Sequence, residues 1–317
     1  MSAVSMKEKL AAYAKDHAMP GTTGRVLVPG MPLHIDGDYL CYYCAGNDDT
    51  SPDTARANVI DRIKRACEVS GADPSKVFVH MSTPDCTKGL RFLVADSPTS
   101  KPYQGQRNTG RKPKNWQHLR DWIDDYSGSF FTTVQWRDRE ADDGMAHVSE
   151  EGFKLKGYAP AVMTADKDMR MFAGLHVVWK TFELVEVQPG TYDKVAGGKQ
   201  YGHKFFWMQM LMGDTADNIL GLPRVGEVAA AKTLAGTTCN QEAFDAVIDV
   251  YKSKMGDDYA EHFVEQAILL WMRTQATAPL LDFLYGLDVE WTADIMRATK
   301  RVSDRVANHP GNPAHVR

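Results

Sequence analysis

The stretch MLMGDTADNILGLPRVGEVAAAKTL, residues 210–234, combines paired carboxylates, a glycine-bounded turn and a helix-forming end. Asp214 and Asp217 are three residues apart, so on a helical turn both carboxylates face the same side. Gly221 and Gly226 bracket a turn that exposes backbone N–H groups at a helix start, where a phosphate group can bind. The segment therefore predicts an anion-binding turn next to a pair of carboxylates.

Upstream of this stretch, strand-like and helical patterns alternate. Ser51 and Pro52 predict the start of a helix that Gly71 ends, with apolar residues at helical spacing between them. The strand candidates are apolar runs at 25–28, 33–36, 77–81, 130–136 and 161–164, with one or two more within 175–188. This alternation predicts an α/β fold, a doubly wound domain with a largely parallel central sheet.

Beyond residue 203 the patterns are helical, with helices expected at 203–212, 226–235, 241–254 and 258–274. We therefore divide the chain into an α/β core, 1–203, with a basic stretch at about 97–120, and an α-helical region, 204–317. The composition of NHPGNPAHVR, 308–317, predicts a flexible C-terminal tail. The charge spacing of residues 1–17 is typical of an amphipathic helix.

The composition is that of an ordinary globular protein, with 43% hydrophobic and 25% charged residues among 317. No apolar run approaches the length of a membrane span, and no secretory signal core is present, so we expect a cytoplasmic protein that does not associate with membranes. Five cysteines, an odd number, argue against a disulfide framework. Cys41 and Cys44 are better explained by packing than by zinc binding, because no second ligand pair accompanies them.

Acidic residues occur in short clusters, several of them directly after strand candidates: 36–38, 140–143, 166–168 and 214–217. Each cluster taken alone is more simply explained by helix capping or a solvated surface. Taken together, carboxylates at the carboxyl ends of parallel strands meet at one edge of the sheet and repel one another unless cations neutralise them. Oxygen ligands without a histidine or cysteine set indicate Mg²⁺ or Mn²⁺.

Residues 210–234 resemble the helix–three-turn–helix segment of the flap endonuclease and 5′→3′ exonuclease family, whose pattern is roughly G-D-x-x-D-N-I-x-G-x-P-x-x-G. Eight positions match at this spacing: Gly213, Asp214, Asp217, Asn218, Ile219, Gly221, Pro223 and Gly226. Further motifs follow in the family's order over about 30–235: Asp36-Gly37, Asp85 ahead of Arg91, E-x-D-D at 140–143, T-x-D-x-D at 164–168 and a Y-K-x-x-R-like run at 103–107. In size the chain looks most like the stand-alone exonucleases of tailed phages.

The resemblance implies a PIN-like or resolvase-like α/β core followed by a helical DNA-binding region, and a site for two divalent metal ions, Mg²⁺ or Mn²⁺. The residues implied for the first metal are Asp36, Asp85, Glu140, Asp142 and Asp143, and those mostly for the second are Asp166, Asp168, Asp214 and Asp217. Setting these nine carboxylates aside changes the formal net charge from −4 to +5. A K⁺ ion at the helix–three-turn–helix segment is a further expectation.

The implied function is a 5′→3′ exodeoxyribonuclease with structure-specific flap endonuclease ability. It would hydrolyse DNA near 5′ ends by a two-metal-ion mechanism, leave 5′-phosphate products, and extend to RNA in RNA–DNA hybrids. The expected partner is DNA with a 5′ end, flap or fork, and no motif indicates a protein partner. If the chain is phage-encoded, the expected location is the host bacterial cytoplasm.

The basic stretch corresponds to the family's arch, which threads or clamps the 5′ strand. The expected DNA contacts are Lys101, Tyr103, Arg107, Arg111, Lys112, Lys114, Gly221, Gly226 and Lys232. Gln104 stands where the arch usually has lysine, and Arg107 is the expected catalytic substitute. Arg224 and Val228 replace a common glycine and a common lysine of the turn, changes expected to alter DNA affinity more than chemistry.

Two alternatives stay open at this point. One is a catalytically silent DNA-structure-binding protein of the same fold, which the full set of acidic residues disfavours. The other is a related metal-dependent ribonuclease, which the duplex-binding character of residues 210–234 disfavours.

Overall fold

The structure, a computed structural model, describes residues 28–315. The amphipathic pattern at 1–17 and all but Val28 of the expected strand at 25–28 lie outside the described residues. The first elements are β1 (Leu33–Asp36), α1 (Gly37–Cys44), α2 (Pro52–Ser70), β2 (Val77–Ser82), α3 (Arg91–Val94), α4 (Trp116–Asp124), β3 (Thr132–Trp136), α5 (Ala141–Lys156), β4 (Ala161–Met163), β5 (Gly174–Val177) and β6 (Leu184–Val187). The later elements are β7 (Lys194–Ala196), β8 (Lys199–Tyr201), α6 (His203–Met212), β9 (Gly213–Asp214), β10 (Ile219–Leu220), α7 (Glu227–Thr233), α8 (Asn240–Met255), α9 (Tyr259–Leu270), α10 (Phe283–Gly286) and α11 (Ala293–Ala307).

The six-stranded sheet has the order β3-β2-β1-β4-β5-β6. Strands β3, β2, β1, β4 and β5 run parallel to one another, and the edge strand β6 is antiparallel to β5. Strands β2 and β3 are added in chain order on one side of β1, and β4, β5 and β6 are added in chain order on its other side. The predicted α/β fold with a largely parallel sheet is confirmed, and its strand order reverses between β1 and β4.

Helices cover both faces of the sheet, as a mostly parallel sheet requires. Leu33 and Ile35 of β1 are buried in an apolar core with residues of α1, α2 and α4. The intervening His34 lies on the opposite face, where its Nδ1 is 2.8 Å from Nε2 of His80. Nε1 of Trp136 donates to Nδ1 of His80 at 2.9 Å, and α5 packs over this face.

The helices from α6 onward surround a second apolar core. Phe206, Trp207 and Met210 of α6 are buried there with Phe244 of α8 and Phe263 of α9. Sequence patterns located α6, α7, α8 and α9 within a few residues. They gave no positions for α10 and α11, and they did not indicate the short antiparallel ribbon of β9 and β10 between α6 and α7. Among the helices within residues 28–315, none combines the length and apolar character that a membrane crossing requires.

The C-terminal segment differs, as far as residue 315, from the flexible tail that its composition predicts. Nε2 of His309 is 2.9 Å from Oδ2 of Asp96, and the buried Asn312 donates from Nδ2 to the Val306 carbonyl oxygen at 2.9 Å. A short helical turn follows at Pro313–His315. Polar side chains rather than an apolar stripe hold this segment, so its composition does not reveal the attachment.

Candidate active site

A cavity of about 590 Å³ opens beyond the carboxyl ends of β1 and β4, where the strand order reverses. Open α/β sheets bind ligands at this switch point, because loops leaving neighbouring strands diverge there. Eight carboxylates line the cavity: Asp36, Asp38, Glu140, Asp142, Asp166, Asp168, Asp214 and Asp217. Three cationic side chains also line it: Arg107, Lys167 and Arg170. The lining therefore has a formal charge of −5 when all these groups are ionised.

Asp36 is both the last residue of β1 and the N-cap of α1. Its Oδ1 accepts a hydrogen bond from the Tyr39 backbone N–H at 3.0 Å, and its Oδ2 accepts one from the Thr164 hydroxyl at 2.8 Å. A side chain at Gly37 would collide with the backbone of His80. The Asp-Gly pair therefore combines a capping carboxylate with the residue that lets α1 approach β2.

The segment after β4 turns so that its acidic side chains reach the cavity. The Thr164 hydroxyl accepts from the Asp166 N–H at 2.9 Å, and Oδ1 of Asp166 accepts from the Asp168 N–H at 2.7 Å. Nζ of Lys167 is 3.3 Å from Oδ1 of Asp168 and also pairs with Asp214. An ammonium group thus lies between two carboxylates. The sequence patterns did not indicate a role for Lys167, although its place between two expected ligands, Asp166 and Asp168, was a signal.

Asp168, Asp214 and Asp217 form the tightest carboxylate cluster that the structure describes. Each offers one oxygen atom, and these oxygens lie within 4.8 Å of one another. Nε2 of Gln209 in α6 donates to Oδ1 of Asp168 at 2.8 Å, which orients that carboxylate. An all-oxygen cluster of this size fits one hard divalent cation.

Gln104 connects two of the cavity's carboxylates. Its Nε2 donates to Oε1 of Glu140 and to Oδ1 of Asp217, at 3.1 Å in each case. Its Oε1 accepts from Nζ of Lys88 at 2.6 Å, and the same ammonium is 3.6 Å from Oε1 of Glu140. The departure from lysine at position 104 therefore places an amide at the carboxylates and the ammonium of Lys88 directly behind it.

Burial and mutual repulsion make these carboxylates weak acids on both sides of the cavity. Burial, with repulsion from Asp38 and Asp166, raises the pKa of Asp36 to about 7. Burial, with repulsion from Asp166 and Asp214, raises the pKa of Asp168 to about 8. Each shift means that nearby positive charge does not fully compensate the ionised form, although Lys167 lowers the pKa of Asp168.

The same shortage of compensating positive charge is found at the start of α5 and in the turn between β9 and β10. Burial, followed by repulsion from Asp166 and Glu140, raises the pKa of Asp142 well above its ordinary value. Burial raises the pKa of Asp217 to about 6, although the guanidinium of Arg107 lowers it. Because Asp166 contributes to both shifts, it lies at the centre of the negative field.

Asp143 does not line the cavity, contrary to its expected role as a metal ligand. Its carboxylate accepts from Nη1 and Nη2 of Arg91 at 2.6 and 2.7 Å, and from the backbone N–H of Arg273 at 3.0 Å. Burial raises the pKa of Asp143, but Arg91 and Arg273 together more than reverse this, so the net shift is downward. Adjacent helical residues do not share a face, which is why Asp142 reaches the cavity and Asp143 reaches Arg91.

Asp85 also lies away from the cavity. It is exposed on the loop after β2, 3.8 Å from the guanidinium of Arg137, because that loop is hydrogen-bonded to the chain that follows β3. Asp38, which sequence analysis noted only as part of a cluster, lines the cavity. Arg120 pairs with its carboxylate, and the Ser82 N–H donates to Oδ2 at 3.3 Å.

Two expected DNA contacts near the start of the basic stretch belong to the site. Arg107 lines the cavity with a half-exposed side chain and pairs with Asp217. The Tyr103 hydroxyl donates to Oε2 of Glu140 at 2.8 Å, and its ring packs against the second apolar core. The Tyr103 ring is therefore held by the protein and does not stand free to stack on a base. Lys101 is exposed.

The later cations of the stretch contact the loop after α1 and the start of α4. Arg111 pairs with Asp48 at 3.1 Å, and Nζ of Lys114 donates to the Asp48 carbonyl oxygen at 3.0 Å. Nζ of Lys112 lies 3.5 Å from the ring centre of Trp116. A role of these three cations in DNA binding stays a prediction.

The glycines of the expected anion-binding turn have different surroundings. A Cβ on Gly221 would overlap the backbone of Met212, so this glycine is needed for close packing of the ribbon on α6. Gly226 is the N-cap of α7, and open space surrounds its Cα. Lys232 is exposed in the last turn of the same helix.

Solved structures with this architecture place the chain among known folds. A zinc-bound structure of the T5 5′-exonuclease is 16% identical, covers 87% of this chain and 99% of its own, and superposes with a TM-score of 0.56. This chain has the fold of the T5 5′-exonuclease. The bacteriophage T5 flap endonuclease in a pseudo-enzyme–product complex with DNA and metal ions gives a TM-score of 0.54 at 16% identity, over 87% of this chain and 98% of its own. The expected resemblance to the flap endonuclease and 5′→3′ exonuclease family is confirmed.

Sequence relatives point to the same family. DNA polymerase I of Bacillus subtilis is 28% identical over 178 residues, 54% of this chain, and that match spans 19% of the polymerase. DNA polymerase I of Bacillus caldotenax is 27% identical over 132 residues, 39% of this chain and 14% of the polymerase. No protein-family model matches the chain.

Proposed function

We propose that the chain is a metal-dependent 5′→3′ exodeoxyribonuclease with structure-specific flap endonuclease ability. The observation that carries the proposal is the cavity lined by eight carboxylates at the strand-order switch point of the sheet. A lining with this much negative charge repels a phosphodiester unless divalent cations neutralise it. The fold shared with the T5 5′-exonuclease, solved with metal ions and with DNA, supports this class of reaction.

The donor set fits two divalent cations, with Mg²⁺ or Mn²⁺ favoured by its oxygen-only chemistry. One group of ligands consists of Asp168, Asp214 and Asp217. The other consists of Asp36, Glu140 and Asp142. Asp166 faces both groups, since its charge raises the pKa of Asp142 and of Asp168 alike. The ammonium of Lys167, between Asp168 and Asp214, marks a place where a positive charge is stabilised.

When bound, divalent cations supply a water molecule of lowered pKa and neutralise the charge that develops on a phosphodiester. The chain's own residues position the reacting groups. Gln104 keeps Glu140 and Asp217 at a fixed separation, because one amide nitrogen donates to both. Arg107 pairs with Asp217 at the rim, and its planar set of N–H donors can also bind a phosphate oxygen of the strand being cut. Hydrolysis that leaves a 5′ phosphate is the expected outcome.

DNA is the proposed partner, held both at the cavity and at a distance from it. The turn between α6 and α7, with Gly226 and Lys232, would contact phosphates of the duplex. Lys101 and Arg107 would contact the 5′ strand. Contacts with phosphate groups recognise the shape of the DNA rather than its base sequence. This suits an enzyme that acts on ends and flaps. A K⁺ site at the turn and cleavage of RNA in hybrids belong to the same proposal.

The test is digestion of a duplex labelled at one 5′ end, with Mg²⁺ and with excess chelator. We expect short 5′-labelled fragments only when metal is present. The variant Asp166→Asn should lose at least about 100-fold in cleavage rate while still binding forked DNA, because Asp166 faces both ligand groups. Asp257→Asn, a substitution of an exposed aspartate outside the cavity, is the matched control and should cleave like the unaltered protein.

Unchanged cleavage by Asp166→Asn would overturn the assignment of the cavity as the active site. An intact label in a preparation that binds forked DNA would instead indicate a catalytically silent binding protein. Cleavage restricted to RNA would favour the ribonuclease alternative.

A further inference from the structure

A second cavity, of about 280 Å³, adjoins the carboxylate cavity on the side of β5 and β6. The two cavities share Tyr39, Ala165, Asp166 and Arg170 in their linings, so they form one continuous groove. The second cavity therefore lies within reach of the nucleotide next to a phosphodiester at the carboxylates. Nothing in the proposed metal chemistry uses this space.

The charge of the second cavity is opposite to that of the first. Arg170, Lys180 and Lys199 line it, and they come from three separate places: the turn after β4, the loop between β5 and β6, and β8. Among residues 28–315, none of these three side chains forms an ion pair. Arg107, by contrast, is paired with a carboxylate. Three unpaired cations that converge on one groove attract a polyanion.

Four aromatic side chains contribute to the walls of the second cavity: Tyr39, His176, Trp179 and Tyr201. His176 and Tyr201 lie edge to face with ring centres 5.7 Å apart, and Trp179 packs edge to face against Tyr39 at 4.9 Å. The guanidinium of Arg170 lies 5.7 Å from the ring centre of Phe205, a cation–π contact that helps to hold it in place. Aromatic walls beside cations are the surroundings that nucleotides of a single strand bind.

We propose that this second cavity binds the nucleotide adjacent to the scissile phosphate, with Arg170, Lys180 and Lys199 contacting its phosphate groups and the aromatic wall contacting its sugar and base. The inference rests on the proposed function, because it assigns the groove to the strand that the carboxylate site cuts. The volume of about 280 Å³ suits a single nucleotide unit and excludes a duplex.

The experiment compares the double variant Lys180→Gln/Lys199→Gln with the control double variant Lys156→Gln/Lys254→Gln, which removes the same charge from exposed positions outside both cavities. Binding of a short fluorescent single strand is measured by anisotropy over a range of salt concentrations, with Ca²⁺ replacing Mg²⁺ to limit cleavage. Binding of thymidine 5′-monophosphate and of inorganic phosphate is measured by equilibrium dialysis under the same conditions. KM and kcat for the labelled duplex are measured with Mg²⁺.

We expect the Lys180/Lys199 variant to bind the strand about fivefold or more weakly, with the slope of log affinity against log salt reduced by about 1 or more. KM should rise more than kcat falls, thymidine 5′-monophosphate should bind more weakly, and the control variant should match the unaltered protein.

Strand and nucleotide binding equal to that of the control would overturn the cavity assignment, even where metal-dependent cleavage supports the proposed function. Equally tight binding of inorganic phosphate would overturn the nucleotide specificity. Absence of cleavage by the unaltered protein, with nucleotide binding that depends on Lys180 and Lys199, would overturn the proposed function and leave the cavity as a nucleotide site.

Discussion

Asp142 and Asp143 are adjacent on α5, yet their surroundings are opposite in charge. Asp142 faces carboxylates, and burial together with Asp166 raises its pKa well above the ordinary value. Asp143 faces the fully buried Arg91, and both of its oxygens are hydrogen-bonded to that guanidinium. The first residue is therefore suited to hold a cation, whereas the second neutralises a charge that the protein itself has buried.

This difference predicts opposite effects of the same substitution on the metal-free protein. Asp143→Asn leaves Arg91 buried without its counter-charge, and we expect a loss of about 3 kcal/mol or more in the free energy of unfolding. Asp142→Asn removes a repelled carboxylate, so the free energy of unfolding should stay the same or rise. Urea denaturation of both variants in excess chelator measures the two values.

The two variants should also differ in how they lose activity. Asp142→Asn should fold normally and fail to cleave DNA in Mg²⁺, because it removes a proposed ligand. Equal destabilisation by the two substitutions would contradict the assignment of Asp143 to Arg91.

At the scale of elements, the turn between α6 and α7 depends on where its glycines pack. Gly213 has a φ of 73°, in the left-handed region that favours glycine, and a Cβ there would overlap the backbone of the turn. Gly221 packs against Met212 just as closely. The β9–β10 ribbon that these glycines permit carries Asp214 into the cavity, so packing of this element sets the position of a proposed metal ligand.

Gly221→Ala and Gly226→Ala form a matched pair that separates packing from DNA contact. Gly221→Ala should destabilise the fold by about 2 kcal/mol or more, because the backbone of α6 must move to admit a methyl group. Gly226→Ala should leave stability within about 0.5 kcal/mol, since its surroundings are open, and any loss should fall on DNA affinity. Thermal unfolding and forked-DNA binding provide the two readouts. A stable, fully active Gly221→Ala variant would show that the ribbon does not position Asp214.

Local sequence patterns located the sheet strands and most of the longer helices of this fold, but not α11, the short strands β7 to β10 or many of the tertiary contacts. The capping residue Ser51 and the terminating Gly71 bound α2 as predicted, because such signals act within a single turn of chain. Asp36, at the end of β1, lies at the sheet edge that its pattern indicated. The position of Asp143, away from the cavity, depends on distant partners instead. Its carboxylate is held by Arg91 and by Arg273, and no local spacing reveals a contact across 130 residues of sequence.

At the scale of the whole molecule, buried arginines join the α/β core to the C-terminal helices. Arg91 donates from Nε to the Leu269 carbonyl oxygen at 3.1 Å, and Arg273 donates from Nη2 to the Gly89 carbonyl oxygen at 3.1 Å. Asp143 lies between these two guanidinium-bearing residues. The residues next to the proposed ligands therefore also hold the two parts of the chain together, so the site and the fold share one electrostatic network.

Two sets of buried groups make the stability of this molecule depend on pH in opposite directions. Burial lowers the pKa of His176 and of His203 to about 4, so stability from these neutral histidines is present above pH 6.5 and is lost as the pH falls towards 4. Asp36 and Asp168 have pKa values of about 7 and about 8 in the folded protein, against an ordinary aspartate pKa of 3.8. For them folding takes up protons, so stability falls as the pH rises from about 4 to about 8.

Between pH 6.5 and 8, the contribution of the carboxylates to stability can therefore be measured largely apart from that of the histidines. This range predicts how a divalent metal ion changes the stability. In excess chelator, the free energy of unfolding should decrease across this range as Asp36 and Asp168 are forced to ionise in a cavity whose negative charge is only partly compensated. Saturating Mg²⁺ should raise the stability and abolish or reverse the decrease, because a cation that binds the ionised carboxylates binds more tightly as protons leave. Urea denaturation at intervals of pH, with and without Mg²⁺, measures both curves.

Asp168→Asn should flatten the curve of stability against pH in chelator at its alkaline end, whereas Asp257→Asn should leave it unchanged. A metal-free protein whose stability is constant from pH 6.5 to 8 would mean that the cavity already contains its compensating charge, and the case for bound divalent cations would then fail.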